Sequence, residues 1–187
     1  MAIHESVSHK LTYRDYLLFP EDGNRHELID GEHFVAPAPS WKHQMAVSNL
    51  NYFFVEFLRR NSLGKACPAP FEVVLSDQDI VQPDLLFISN ERSRIRTDKN
   101  AEGVPDLVIE VLSESTRKID ETRKLRLYER AGAREYWMFD TARESARVYR
   151  QEGDRLVLAQ ELSAAAGDLL ETPLLPGLRI PLAEVFL

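Results

Sequence analysis

The sequence is poor in three features that would have indicated other classes of protein: cysteine, long apolar runs and an excess of basic residues. Its single cysteine, Cys67, excludes an internal disulfide and leaves no partner for a cysteine-based metal site. No apolar run approaches the length that spans a bilayer, and the first ten residues lack the basic and apolar regions of a secretory signal. We therefore expect a cytoplasmic protein without membrane association.

Basic charge is scarce because 23 Lys and Arg residues stand against 30 Asp and Glu residues, a formal net charge of −7. Proteins that coat nucleic acid nonspecifically carry a basic footprint, so this composition argues against that class. An enzyme acting on phosphodiesters is not excluded, because binding depends on local potential. A bound cation also adds positive charge where carboxylates cluster.

With 187 residues, 44% of them hydrophobic, the chain is long enough for a core, and we expect a single domain over residues 1–187. In its first third, helical spacing and turn residues predict a short helix over residues 11–17, a hairpin of residues 26–29 and 32–35 about Asp30-Gly31, and a helix over residues 41–60 capped by Ser40.

From about residue 66 the pattern favours strands. It predicts a hairpin of residues 71–75 and 82–88, a surface loop over residues 90–103, a central strand over residues 106–112, a helix over residues 119–131 ended by Gly132, a buried strand over residues 135–139, and a hairpin of residues 146–150 and 155–159 before a proline-rich tail. The fold class is therefore α/β, or α+β, with an N-terminal hairpin and helices flanking a central mixed sheet.

Glu110 is the most informative candidate residue because it lies inside the apolar run Leu107–Leu112. An ionised carboxylate there is costly unless a cation or a metal accompanies it. A solvent-facing strand end or a structural salt bridge would also explain it. The association of perturbed carboxylates with functional sites favours a functional role.

Asp84 opens the apolar stretch 85–88 directly after Pro83. Aspartate is common at strand ends and turns, so the residue alone is a weak signal. An Asp that opens one strand, beside a central strand that carries Glu110, can bring two carboxylates together. Magnesium needs only one or two such hard oxygen ligands, with water and substrate phosphate completing the octahedron.

Lys124 lies on the predicted helix, with Leu127, Tyr128 and Ala131 as neighbours on one largely apolar face. Its amine could reach the carboxylates and there steady a phosphate or orient an attacking water. Two other interpretations stay open: a snorkelling side chain with its amine in water, and a simple pair with Asp120 one turn earlier.

An ordered set of segments resembles the Uma-type restriction endonuclease family, once catalogued as a domain of unknown function, within the PD-(D/E)XK nuclease superfamily. The resemblance covers residues 13–150 and leaves a C-terminal hairpin and tail over residues 146–187. The segments are residues 26–31, His43 at the start of a helix, residues 82–85, residues 105–113 and residues 124–137.

The resemblance implies a role for each matching residue. Asp84 would be the superfamily aspartate, Glu110 the second acidic ligand of the metal, and Glu27 an outer acidic residue near it. The superfamily lysine should stand two residues after Glu110, where this chain has Leu112, and the resemblance implies that Lys124 replaces it.

Other candidates are weaker. His43 could contact phosphate or transfer a proton, or it could be an ordinary residue of the first helical turn.

We interpret Pro105-Asp106 as a decoy for the superfamily's Pro-Asp pair and expect Glu72 to be structural or exposed. Basic residues are candidates for phosphate contact or for solvated loop charge: Arg92, Arg94, Arg96, Lys99, Arg117 and Lys118. Core positions are expected for three aromatic residues: Tyr136, Trp137 and Phe139.

The sequence thus predicts an endonuclease that uses Mg²⁺ or Mn²⁺ to hydrolyse nucleic acid, with DNA as the expected substrate. One alternative is a catalytically silent nucleic-acid-binding or regulatory module that keeps the fold. Another is a structural protein in which Glu110 and Lys124 form a buried ion pair. A homodimer would fit the first hypothesis, because paired sites could cut both strands of a duplex.

Overall fold

The computed structural model describes residues 10–187. Residues 1–9, which carry the prediction about export, lie outside this range. Within it, no helix combines the length and the apolar character that crossing a bilayer requires.

The described chain contains one long helix, several short helices and thirteen strands. In order, it contains α1 (Tyr13–Tyr16), β1 (Arg25–Ile29), β2 (Glu32–Ala36), α2 (Trp41–Arg60), β3 (Gly64–Pro68), β4 (Glu72–Ser76), β5 (Asp79–Val81), β6 (Leu85–Ser89), β7 (Asn100–Glu102), β8 (Leu107–Leu112), α3 (Arg117–Ile119), α4 (Leu125–Ala131), β9 (Glu135–Asp140), β10 (Ser145–Glu152), β11 (Arg155–Ser163), β12 (Leu169–Glu171), β13 (Arg179–Pro181) and α5 (Leu182–Val185). A π-helical turn, Asp120–Lys124, joins α3 to α4, and 3₁₀ turns form at Ser93–Ile95 and Ala164–Ala166.

Two mixed sheets make up most of the fold, as the predicted α/β class requires. The larger has the strand order β11-β10-β9-β8-β6-β3, in which only β8 and β9 run parallel. The smaller has the order β2-β1-β5-β4-β7, and β12 pairs with β13 in a separate ribbon. The N-terminal hairpin is therefore the edge of a second sheet.

Two predicted elements are confirmed: helix α2 at both of its ends, and the N-terminal hairpin at its turn. Helix α2 begins after Ser40, whose hydroxyl accepts a hydrogen bond from the His43 N–H at 3.3 Å, and it ends at Arg60 as predicted. The hairpin β1–β2 turns at Asp30 and Gly31, whose φ angles of 54° and 71° lie in the left-handed region. Two consecutive positive φ angles are typical of the tight turn that an Asp-Gly pair favours.

The predicted hairpin of residues 71–75 and 82–88 is wrong. Strand β4 turns back at Ser76 to pair with the three-residue strand β5, and the chain then crosses to the larger sheet, where β6 lies between β3 and β8. Pro83 has no N–H to continue a ladder, so pairing stops there and the strand direction changes. This crossing places Asp84 between the two sheets.

Other elements were missed or misjudged. The predicted loop over residues 90–103 contains a 3₁₀ turn and β7, which pairs parallel with β4. Strand β3 was not predicted, and the helix predicted to start at residue 119 starts at Arg117 and includes the π turn. The C-terminal hairpin, β10 and β11, is longer than predicted, and the tail adds β12, β13 and α5.

The larger sheet is covered on both faces, as predicted for its central strand. On one face, Leu107 and Ile109 pack with α2 and the C-terminal tail. On the other, Val108 and Leu112 pack with α4 and with residues of the smaller sheet. The three predicted core aromatics of β9 are fully buried. Because side chains alternate along a strand, Glu110 shares the second face, between the two sheets.

Candidate active site

Glu110 lies in the middle of β8 with 1% of its surface exposed. Its Oε1 accepts hydrogen bonds from the Lys124 amine at 2.9 Å and from the Tyr128 hydroxyl at 3.3 Å. Both donors come from the π turn and α4, which pack over this face of the sheet. The buried carboxylate that the sequence left unexplained is thus held by a cation.

The Lys124 amine is surrounded by three carboxylates. Besides Glu110, it donates to both oxygens of Glu27 at 3.0 Å and lies 3.5 Å from Oδ1 of Asp120. Burial alone would lower the pKa of Lys124, but Glu110, Glu27 and Asp120 raise it above its ordinary value. The side chain therefore carries a permanent positive charge, which makes it an electrostatic donor rather than a base.

The π turn sets this position of Lys124. A π turn widens the helix by one residue, and such turns are frequent at functional sites. Asp120 opens the turn and Lys124 closes it, so both side chains are buried together. The carbonyl of Asp120 accepts a hydrogen bond from the hydroxyl of Tyr136, which ties the turn to β9.

Asp84 is held from three directions. Its Oδ1 accepts from Arg25 at 2.7 Å, and its Oδ2 accepts from the Val111 N–H at 2.8 Å and contacts Nε2 of His43 at 3.1 Å. Burial raises the pKa of Asp84, but the His43 contact, the Arg25 charge and the Val111 N–H together lower it to about 2. Asp84 is therefore an ionised carboxylate in a fixed orientation.

The sheet register brings Asp84 beside Glu110. Leu85 pairs with Ile109 in the antiparallel ladder of β6 and β8, so the residue before Leu85 lies next to the residue after Ile109. The Val111 N–H that binds Asp84 belongs to the residue that follows Glu110. The two carboxylates predicted as metal ligands thus lie side by side, Asp84 directly before β6 and Glu110 on the neighbouring strand β8.

Glu27 connects the smaller sheet to this cluster. It lies on β1, is buried, and accepts from the Gln82 N–H at 2.8 Å as well as from Lys124. The structure places it beside Lys124, whose amine it shares with Glu110.

The cluster has more negative than positive charge. Four buried carboxylates belong to the cluster: Glu27, Asp84, Glu110 and Asp120. Arg25 and Lys124 are its two cations, so two formal negative charges remain when His43 is counted as neutral. Burial above all raises the pKa of Glu110 to about 8; Lys124 opposes this shift, and Asp84 and Asp120 add to it. A divalent cation would supply the missing charge, and carboxylate oxygens are the ligands that Mg²⁺ prefers.

Across residues 10–187, no group of three or more His, Cys, Asp and Glu side chains is arranged as a ready-made metal cage. A cage of that kind is not what Mg²⁺ needs, since it usually keeps several waters and takes one or two carboxylates. A carboxylate has about four acceptor positions, and Asp84 uses three of them within the protein. The donor set of Asp84 and Glu110 therefore fits such an ion.

A cleft of about 950 Å³ opens at this cluster. Arg25, His43 and Asp84 line it, together with residues 36–40, 112–117 and 140–142. Glu110 and Lys124 do not line it, so Asp84 is the member of the carboxylate pair that the cleft reaches directly. A substrate in the cleft would approach the cluster from the Asp84 side.

The structure brings all five candidate residues into one contact network, from His43 through Asp84 and the backbone of β8 to Glu110, Lys124 and Glu27. Sequence reasoning missed Arg25 and Tyr128. Arg25 stands two residues before Glu27, and alternation along β1 was the one available hint that both point to the same face.

The structure places Asp106, of the Pro105-Asp106 pair, apart from the cluster, and its interpretation as a decoy stays a prediction. The residue is fully buried away from the cluster, accepts from the Ser89 N–H at 2.7 Å, and lies 3.4 Å from Arg92 and 3.3 Å from Arg134. Arg92 also donates to backbone carbonyls, so its role is structural.

Among the basic candidates, Arg117 lines the cleft, where it pairs with Asp140 at 2.8 Å.

This fold is shared with a solved structure. The crystal structure of a "putative nuclease belonging to DUF820" from Anabaena variabilis ATCC 29413 is similar with a TM-score of 0.76 and 20% identity, covering 94% of this chain and 97% of that one. The type IIG restriction endonuclease BpuSI gives a TM-score of 0.41 and 12% identity over 81% of this chain and 16% of that one. No curated protein matches. Residues 13–183 match the family described as "Uma2: Putative restriction endonuclease", and the chain belongs to that family.

Proposed function

We propose that this protein is an endonuclease that uses Mg²⁺ or Mn²⁺ to hydrolyse phosphodiester bonds, with DNA as its substrate. The observation that carries the proposal is the buried cluster of four carboxylates and two cations that meets a cleft at Asp84. Membership of a family described as restriction endonucleases supports the same reaction.

Asp84 and Glu110, together with the carbonyl of Val111, would hold the metal. When bound, the ion supplies Lewis-acid polarisation of the scissile phosphate and acidifies a water molecule. Arg25 and His43 keep the Asp84 carboxylate in one orientation, since each donates to a different oxygen. This fixed geometry removes the entropy of ordering the ligand during binding.

Lys124 would stabilise the negative charge that develops on the phosphate or position the attacking water. Its raised pKa keeps it protonated at neutral pH, and its burial strengthens its field at the reacting atoms. Glu27 also accepts a hydrogen bond from the amine and helps to hold it in place. The remaining proton-transfer candidate is His43, which lines the cleft and contacts Asp84.

The test is plasmid cleavage with Mg²⁺ or Mn²⁺ by the wild type and by Asp84→Asn, Glu110→Gln and Lys124→Met. We expect each variant to lose at least about 100-fold in rate, the scale on which removal of a charge-stabilising group acts. Glu56→Gln, which changes an exposed carboxylate on α2, serves as the matched control and should cleave like the wild type. Equal cleavage by all five proteins would identify a contaminant and end the proposal.

The acidic net charge favours one second candidate, a module that binds nucleic acid without cutting it. Fluorescence anisotropy of a labelled oligonucleotide distinguishes the two. Binding without turnover in Mg²⁺ and in Mn²⁺ would support the silent module, whereas metal-dependent cleavage lost in Asp84→Asn would eliminate it.

Cleavage of both strands of a duplex would need two sites, and we propose a homodimer for that reason. Sedimentation velocity measures it directly. A single species at the mass of one 21.5 kDa chain under cleavage conditions would contradict the dimer and leave the site unaffected.

A further inference from the structure

Trp41 is unusually exposed. About 79% of its surface faces solvent, whereas the second tryptophan, Trp137, is fully buried. Tryptophan is highly buried on average, and its large ring is enriched where proteins contact partners. In the described part of the chain, no other aromatic ring stacks on Trp41. The ring therefore offers a free aromatic face.

Trp41 is adjacent along the chain to the residues that line the active-site cleft, although it is not itself one of them. Trp41 is the first residue of α2, and the five residues before it line the cleft. Two residues later, His43 lines the cleft as well and contacts the Asp84 carboxylate at 3.1 Å. A polymer strand that reaches Asp84 through this side of the cleft passes the N-terminal end of α2.

The surroundings of the ring suit a phosphate-linked base. The N-terminal end of a 20-residue helix carries partial positive charge, and the neighbouring Lys42 is exposed. His43 is almost fully buried and its Nδ1 has no hydrogen-bond partner in the described structure. Proteins usually bind single strands in two ways at once: a base stacks on an aromatic ring, and positively charged groups nearby contact the phosphates of the nucleic-acid backbone.

We propose that Trp41 stacks on an unpaired base of the strand that occupies the cleft. Bases inside an intact duplex are covered on both faces, so the preferred substrate has a single-stranded or frayed segment next to the scissile phosphate. The proposal rests on the proposed nuclease function, because it takes the cleft to hold a nucleic-acid strand.

The experiment uses tryptophan fluorescence, since Trp41 is the exposed fluorophore and Trp137 the buried one. A single-stranded oligonucleotide is titrated into the wild type and into Trp41→Phe, with EDTA present to prevent cleavage. We expect quenching in the wild type and little change in Trp41→Phe. In parallel, anisotropy of a labelled single strand should show that Trp41→Ala weakens binding about 5- to 150-fold, with a much smaller effect on a blunt duplex.

Tyr52→Ala is the matched control. Tyr52 is 62% exposed on the same helix, about 16 Å further along its axis, and its immediate neighbours in the chain, unlike those of Trp41, do not line the cleft. It should bind like the wild type. Binding without quenching, or equal affinities of Trp41→Ala and the wild type, would overturn the stacking proposal and leave the nuclease proposal intact. Absence of both oligonucleotide binding and plasmid cleavage would overturn both.

Discussion

The Lys124 amine joins the two sheets, because it lies 2.9 Å from Glu110 on β8 and 3.0 Å from Glu27 on β1. All three side chains are at least 95% buried. One ammonium group thus has two functions: it compensates carboxylates within the interior, and it fixes the smaller sheet against the larger one. Its removal is expected to affect stability as well as activity.

Lys124→Met should lower the free energy of unfolding by about 3–5 kcal/mol, since it leaves buried carboxylates without their cation. Urea denaturation without added metal measures this. Adding Glu110→Gln to the same chain should recover part of the loss, because it removes one of the uncompensated charges. Additive losses in this double-mutant cycle would show that the two residues are not coupled.

Asp120→Asn should behave differently from Lys124→Met. The Lys124 amine is 3.5 Å from Oδ1 of Asp120, too far for a hydrogen bond, and that oxygen has no hydrogen-bond donor. Burial raises the pKa of Asp120, so the charged form is held unfavourably. Since the substitution also reduces the excess negative charge, we expect the unfolding free energy to change by less than about 1 kcal/mol. A loss as large as that of Lys124→Met would show that Asp120 is an essential counter-ion.

The low pKa of Asp84, about 2 against an ordinary value of 3.8, predicts a pH-dependent contribution to stability. Because folding lowers this pKa, the contribution is complete above about pH 4 and disappears as the pH falls towards 2. It amounts to about 2 kcal/mol at 1.36 kcal/mol for each pKa unit. In EDTA, the difference in unfolding free energy between the wild type and Asp84→Asn should shrink by about this amount from pH 6 to pH 2. A constant difference would contradict the buried, ionised state of Asp84.

Asp106→Asn tests which Pro-Asp pair belongs to the site. Asp106 contacts Arg92 and Arg134 away from the cluster, so the variant should lose about 1–3 kcal/mol of stability. Its metal-dependent cleavage rate should stay within a few-fold of the wild-type rate. Loss of cleavage in a variant that remains folded by circular dichroism would make Asp106 a catalytic candidate and contradict its interpretation as a decoy.

Capping residues, turn residues and apolar spacing predicted helix α2 and the first hairpin, because both depend on residues that are close together in the sequence. Ser40 and the apolar spacing that follows it were enough for α2, and Asp30-Gly31 was enough for the first hairpin. The partner of β6 could not be predicted in the same way, because strand pairing depends on contacts distant in sequence. Pro83 was visible in the sequence, but only the structure shows that the chain changes sheets there.

The site was predictable to a similar extent. Glu110 was identifiable because a carboxylate in an apolar strand requires compensation, and Lys124 because a lysine stood on an apolar helix face. Alternation along β1 was the only hint for Arg25, and the contact of its guanidinium group with Asp84 depends on tertiary packing. Tyr128 was visible as a neighbour of Lys124 on the helix face, but no sequence pattern showed that its hydroxyl reaches Glu110. The same holds for the π turn, since hydrogen-bond register within a helix leaves no pattern of residue types.

The most direct test of a divalent-cation site at Asp84 and Glu110 is the melting temperature with and without Mn²⁺ or Mg²⁺. Binding at 100 times Kd stabilises the folded state by about 2.7 kcal/mol, which corresponds to a rise of about 5–10 °C for a chain of this size. We predict this rise for the wild type and for Glu56→Gln, and its absence in Asp84→Asn and Glu110→Gln. A wild-type melting temperature that neither ion changes, or an equal rise in Asp84→Asn, would contradict a metal site at these residues.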